Sequence, residues 1–200
     1  EFRTSHVPTV LYDNYIKSNP CIASVGCDNE EGFDLAVKHL LKLGHRKIGL
    51  ISGPPDSYIM KARYNAYLNA MGKYGLEINE DYIGLGYFVS ESTRKYVPKL
   101  LNQGVTAILF SHDVRAISAI TECIDRNIQI PQDLSIIGFD DLPMTEHTFP
   151  PLTTIHQDRV SLGKCGYYAM SCLMNNVPIG SIQLRAPLVV RGSTGPVPKK

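Results

Sequence analysis

The sequence predicts an α/β protein with mostly parallel sheets and helices on both faces. Three observations carry that expectation. Short apolar runs rich in β-branched residues, such as Ile136-Ile137-Gly138-Phe139 and Val105 to Phe110, are too short for typical helices and read as buried strands. Longer amphipathic stretches lie between most of these runs. The resulting order, β-β-α-β-α-β-α-β-α-β-β-α-β, calls for right-handed crossovers, and those make neighbouring strands parallel.

Taken in order, Val7 to Tyr12 reads as a strand ending at Asp13-Asn14, and Ile22 to Val25 as a second. Asp28 and Glu31 form a capping-box pattern for a helix to about Leu43. Phe33, Val37, Leu40 and Leu41 give that helix an apolar face, and Gly44 is its C′ residue. Lys47 to Ser52 is the next strand, closed by Gly53-Pro54-Pro55. A helix over 57–74 carries Tyr64, Tyr67, Leu68 and Met71 on one side and stops at Gly75. Tyr82 to Val89 reads as a strand weakened by Gly84 and Gly86. The following helix, from about Glu91 to Gln103, contains Pro98, where a kink or a late start is expected.

After the run Val105 to Phe110, Asp113 is the expected cap of a helix with Ala116, Ile117, Ile120 and Ile124 inward. The run at Ile136 ends abruptly in two carboxylates, Asp140 and Asp141. Pro150 and Pro151 force extended backbone, so Leu152 to Ile155 reads as one more strand. Asp158 or Ser161 caps a last long helix to about Asn175. Ser181 to Arg191 is a final extended segment, and residues 195–200 read as a disordered tail.

Composition narrows the function. Twenty basic and 19 acidic residues give a formal net charge of +1, which is not the footprint of a nucleic-acid-binding domain. Any DNA contact would come from a segment outside these residues. The five cysteines, Cys21, Cys27, Cys123, Cys165 and Cys172, form no C-x-x-C pair and read as reduced thiols. No stretch approaches the apolar length of a membrane span, and the polar start lacks a signal-peptide core, so a cytoplasmic location with no membrane partner is expected. The sequence has no HExxH, GxSxG or GxxxxGK[ST] motif. His147 and His156 flank a Pro-Pro break without regular ligand spacing. An enzyme, a metal site and a cofactor are therefore not expected.

The stretch Leu134 to Asp158, with Ile130-Pro131-Gln132-Asp133 before it, resembles the signature of the LacI/GalR family of bacterial transcriptional regulators, an iPeDisviGfDd segment followed by pLTTi. His39 to Ile48 resembles the family's HLi-x-x-GHrkI segment, and Arg191-Gly192-Ser193-Thr194 its RgSt ending. The resemblance implies a periplasmic-binding-protein-like fold of type I with an incomplete N-terminal lobe. On that basis residues 1–45 are part of the N-terminal lobe, 46–156 the C-terminal lobe, and 157–194 the return to the N-terminal lobe. It also implies a headpiece that binds operator DNA and lies outside this chain, a homodimer, and an effector held in an interlobe cleft that shifts one lobe orientation over another. A lobe short of strands would leave an edge open to pairing. The alternative is a solute-binding protein of a transporter with the same fold.

Ligands of open parallel sheets sit outside the carboxyl ends of the strands, and Asp140 falls at such an end. It resembles the first Asp of the family's GfDd motif, which contacts effector; Asp141 is expected to be structural. Arg63, in Arg63-Tyr64-Asn65-Ala66-Tyr67, resembles the Arg of an R-x-x-G-[YF] segment that grips effector, although Ala66 stands where Gly is usual. By the same resemblance His112 and Asp13 match polar effector-contacting positions, Phe88 an aromatic that stacks on effector, and Gln157 a weaker position after the TTI segment. Apart from Arg63 and Arg159 there are few basic residues near these positions, which favours a neutral sugar.

Overall fold

The computed structural model describes residues 6–16, 19–87 and 89–198. In chain order its elements are β1 (Thr9–Tyr12), β2 (Ile22–Cys27), α1 (Asn29–Lys42), β3 (Ile48–Ser52), α2 (Tyr58–Lys73), β4 (Ile83–Leu85), α3 (Val89–Asn102), β5 (Ala107–Phe110), α4 (Asp113–Asp125), β6 (Ser135–Asp140), β7 (Thr153–His156), α5 (Arg159–Met174), β8 (Ser181–Leu184) and β9 (Leu188–Val189). The fold is the α/β, mainly parallel one that the residue pattern predicts. The chain divides into two compact units. One takes the chain up to Asp28 and again from Gln157 to Ala186; the other takes Asn29 to His156 and the chain from Pro187.

The second unit is built on a sheet of order β4-β3-β5-β6-β7-β9, parallel throughout except for the antiparallel β7–β9 pair. Every residue of β3 and β5 is buried, as strands covered on both faces must be. The chain runs outward from β3 to β4 and then crosses back to β5, so the strand order reverses between β3 and β5. With right-handed crossovers this puts α2 on one face and α3 and α4 on the other. Val97, Leu100, Ile120 and Cys123 pack against Ile108, Phe110 and Ile136 in one core layer. Phe33, Leu40, Tyr67 and Met71 are buried by α1 and α2. Each such fully buried large side chain contributes about 1.5–3 kcal/mol.

Gly138 is a requirement of this packing. A Cβ there would collide with the Asp113 carboxylate and lie 3.0 Å from Leu152 Cδ2. Its absence lets the first residue of α4 sit directly against β6.

The first unit is smaller. Its sheet has the order β1-β2-β8, all parallel, with Ser24 opposite Ser181 and Leu11 opposite Ser24. Helix α5 supplies Leu162, Ala169 and Leu173 to a core with Ala23 and Val25. Asp158 caps α5 by accepting from the Ser161 N–H at 2.9 Å.

Several boundaries differ from the sequence reading. Helix α1 belongs to the second unit, so the first boundary falls after Asp28 and not after residue 45. The cause is its apolar face: Phe33 meets Phe139 of β6 with ring centroids 5.9 Å apart. The segment read as one extended stretch, Ser181 to Arg191, is two strands in different units. Residues 187–194 therefore do not return to the first unit. The expected strand Tyr82 to Val89 is only β4, because Asn79 caps a 3-10 turn at Glu80–Tyr82 and α3 has begun by Val89. Pro98 lies inside α3 and does not delay its start.

Residues 195–198 are not a free tail. Gly195 N–H donates to Ser135 Oγ at 3.1 Å, Gly195 O lies 3.0 Å from His45 Nε2, and Val197 N–H donates to Leu43 O at 2.9 Å. Ser193 is fully buried, donating to Ile136 O at 2.6 Å and accepting from Thr153 N–H at 2.9 Å. His45, just past the end of α1, is buried among Thr106, Ser135 and Gly195.

Candidate functional site

In the second unit the carboxyl ends of β3, β5 and β6 lie beside the point where strand order reverses, the usual place for a ligand in such sheets. Asp140 ends β6. It and Asp141 have φ of 109° and 52°, uncommon values for non-glycine residues. Such backbone costs of order 1–3 kcal/mol per residue and gathers at functional sites.

Arg63 reaches the same edge from α2. Its Nη2 lies 3.1 Å from Asp140 Oδ1, its Nη1 donates to the Ser111 carbonyl, and its Nε donates to Asn29 Oδ1 at 3.3 Å. The guanidinium carbon sits 3.7 Å from the centre of the Phe139 ring. Only 3% of Arg63 is exposed, against 20% of the Asp140 side chain. The cation of the pair is thus shielded, and part of its carboxylate stays accessible. The hydroxyl of Ser111, the residue whose carbonyl accepts from Arg63, is buried without a hydrogen-bond partner.

His112, not Asp113, is the N-cap of α4: its Nδ1 accepts from the Arg115 N–H at 3.4 Å. The ring proton is then left on Nε2. Burial, with Arg115 and Arg63 nearby, pushes the imidazole down to about 4, so it is a neutral donor at pH 7. Asp113 turns inward, where the Thr154 hydroxyl and the Leu142 N–H, the latter at 2.8 Å, donate to its carboxylate. Burial pushes its carboxyl up to about 7 despite those donors, and the neighbouring Asp140 and Asp141 add to the rise.

Asp141 is held by structure. Arg191 Nη2 lies 2.8 Å from it and His156 Nδ1 2.7 Å. Burial alone would raise its carboxyl, but these two partners outweigh it and hold the group below the usual range.

In the first unit, Asp13 ends β1 with φ of 48°. Gln157 Nε2 donates to its Oδ2 at 2.9 Å and lies 3.7 Å from Cys27 Sγ. Asp13 Oδ1 is buried without a hydrogen-bond partner.

Of the six residues expected at the site, the structure joins Arg63 to Asp140, with His112 near them, and Asp13 to Gln157. Phe88 lies outside the described residues. The sequence reading missed Phe139, Asn29 and Arg115. Arg115 did leave a signal: a cation in the first turn of a helix opposes the macrodipole. Among the described residues no group of His, Cys, Asp and Glu could hold a metal ion, and no helix is long and apolar enough to cross a membrane.

Residues 37–194 match the model of the periplasmic binding protein-like domain. The HTH-type transcriptional repressor CytR of Escherichia coli strain K12 is 32% identical, over 96% of this chain and 58% of that protein. The HTH-type transcriptional repressor PurR of Haemophilus influenzae strain PittEE is 38% identical, over 80% of this chain and 48% of that protein. This chain therefore spans about half the length of the curated relatives it matches. The crystal structure of a LacI family transcriptional regulator from Enterococcus faecium with bound ribose superposes with a TM-score of 0.84 at 26% identity, covering 95% of this chain and 72% of that one. These relatives are regulators, not enzymes. With the domain model matching most of this chain and the repeated likeness to such regulators, the chain belongs to the periplasmic-binding-protein-like domain family, as an effector-binding domain of the LacI type.

Proposed function

We propose that this domain binds a small sugar or related polyhydroxylated metabolite at the carboxyl end of the second unit's sheet, and that binding alters operator affinity in a transcriptional regulator. The Arg63–Asp140 pair carries the reading. A largely shielded carboxylate backed by a guanidinium accepts from vicinal hydroxyls through charge-assisted bonds, and neutral His112 adds a donor. The ribose bound by the Enterococcus faecium relative supports a sugar, and the CytR and PurR names support operator DNA as the final target. Asp13 and Gln157 are proposed as further effector contacts. A cytoplasmic homodimer is part of the same proposal. Effector acts only through a difference in affinity between two conformations of the regulator.

The test is a thermal-shift screen against monosaccharides, disaccharides, sugar phosphates and nucleobases. A ligand at about a hundred times its dissociation constant adds ~2.7 kcal/mol of stability. A sugar that stabilises the wild type and has no effect on Asp140→Asn supports the assignment. A stabilising sugar indifferent to that substitution refutes it.

A further inference from the structure

Two guanidinium groups are buried in the second unit among the described residues, Arg63 and Arg115. Arg63 ends on a carboxylate. Arg115 does not: among the described residues no acidic oxygen lies within ion-pair distance of it. Its Nη2 donates to the carbonyls of Gly86 at 2.7 Å and Tyr87 at 3.3 Å, just past β4. Those two bonds use both hydrogens of that nitrogen. Nε and Nη1 are buried and have no hydrogen-bond partner, so three of the five N–H donors are unused.

The position makes this informative. Arg115 rises from the first turn of α4, three residues beyond His112, at the same sheet edge as Arg63 and Asp140. Its Nη2 is 3.7 Å from where a Cβ on Gly53 would stand, at the end of β3. A cation here works against the helix dipole, and it has shed water without gaining a counter-charge. Two penalties fall on one side chain, and two carbonyl contacts are a small return. An anion at the unused donors would offset both. Tyr87, whose carbonyl accepts from Nη2, also donates its hydroxyl to Asp56 Oδ2 at 3.2 Å, a bond between exposed groups.

We propose that Arg115 is a specificity-determining residue of the effector site, and that the effector carries an anionic oxygen group, phosphate or carboxylate, beside its hydroxyls. This rests on the reading of the Arg63–Asp140 edge as the effector site. It revises the sequence-based expectation of a neutral sugar, which counted Arg63 and Arg159 but not Arg115.

The experiment is calorimetric titration of the chain with matched probes: ribose and ribose 5-phosphate, glucose, glucose 6-phosphate and glucuronate. The wild type is expected to bind one anionic sugar about tenfold or more tighter than its neutral counterpart, since charge-assisted bonds are the stronger ones. Arg115→Met should abolish that preference and retain the neutral sugar. Arg115→Lys, which keeps the charge but loses the fork, should keep part of it; it also serves if the Met variant does not fold. Asp140→Asn should weaken both members of a pair. Neutral binding without anion preference, or equal weakening of both members by Arg115→Met, overturns the role of Arg115 alone. Failure of all five probes to bind overturns the site reading as well.

Discussion

Arg63 and Asp140 meet at 3.1 Å across the carboxyl edge of a parallel sheet, the cation buried on the Phe139 ring and the carboxylate partly accessible. The asymmetry divides their roles. Arg63 is fixed by Asn29, Ser111 and the ring, so it sets the direction of a carboxylate that a ligand can reach.

Asp140→Asn should therefore weaken effector binding by ~1.5–3 kcal/mol, the size of a hydrogen bond to a charged group. The amide oxygen still accepts from Arg63, but the buried guanidinium loses its counter-charge, so folding stability falls as well, by up to about 3–5 kcal/mol. Calorimetry and urea unfolding separate the two effects. Unchanged affinity with a large loss of stability would make Asp140 structural.

His112 and Asp113 give stability opposite dependences on pH. Asp113, raised from 3.8 to about 7, keeps its proton in the folded state where the unfolded chain has lost it, so its contribution falls as pH rises from about 4 to 7. His112, lowered from 6.5 to about 4, is neutral in the folded state where the unfolded chain is protonated, so its contribution grows as pH rises from about 4 to 6.5. Each slope is at most on the order of 1.4 kcal/mol per pH unit, and in the wild type they largely cancel. Asp113→Asn should make stability climb with pH in this window, and His112→Gln should make it fall. Denaturant midpoints that run parallel to the wild type in both variants would show that neither group is shifted.

Gly138→Ala should destabilise the protein by ~1–3 kcal/mol through overpacking, because Asp113 is fixed by Thr154 and Leu142 and cannot retreat. Denaturant unfolding measures it. A neutral result would mean that α4 can shift away from β6.

Ser193→Ala should cost ~1–3 kcal/mol, since it strands the buried Thr153 N–H and takes a donor from Ile136 O. Loss of amide-exchange protection at Thr153 and Arg191 should accompany it. Protection equal to the wild type would show that β9 and the chain end hold without this hydroxyl.

The strands of the second unit were legible because burial on both faces writes them as continuous apolar runs, Ile48 to Ser52 being one. The ends were harder. Ser181 to Arg191 is mostly of strand composition, and its break at Arg185-Ala186-Pro187 does not by itself say that Leu184 pairs with Cys27 while Leu188 pairs with Ile155. Residues 195–198 have the Gly and Pro content of a tail, and only the distant partners His45, Ser135 and Leu43 order them. At the site, Asp140 was visible as a carboxylate ending a strand. Its geometry with Arg63 was not, because the contact joins β6 to a helix that starts far earlier in the chain. Asp113 was read as a cap by residue type, yet the space left by Gly138 draws it inward and gives the cap to His112.

The strand order also sets a timetable for folding. Strands β3 to β7 come from one uninterrupted run, so they can assemble as that run leaves the ribosome. Strands β1 and β2 precede that run but receive the cover of α5 and β8 only after it. During synthesis Ala23 and Val25 wait for Leu162, Ala169 and Leu173. Within this stretch β1 and β2 thus gain the cover of α5 only after β3 to β7 are complete, and such an interval is where a chaperone has most to protect.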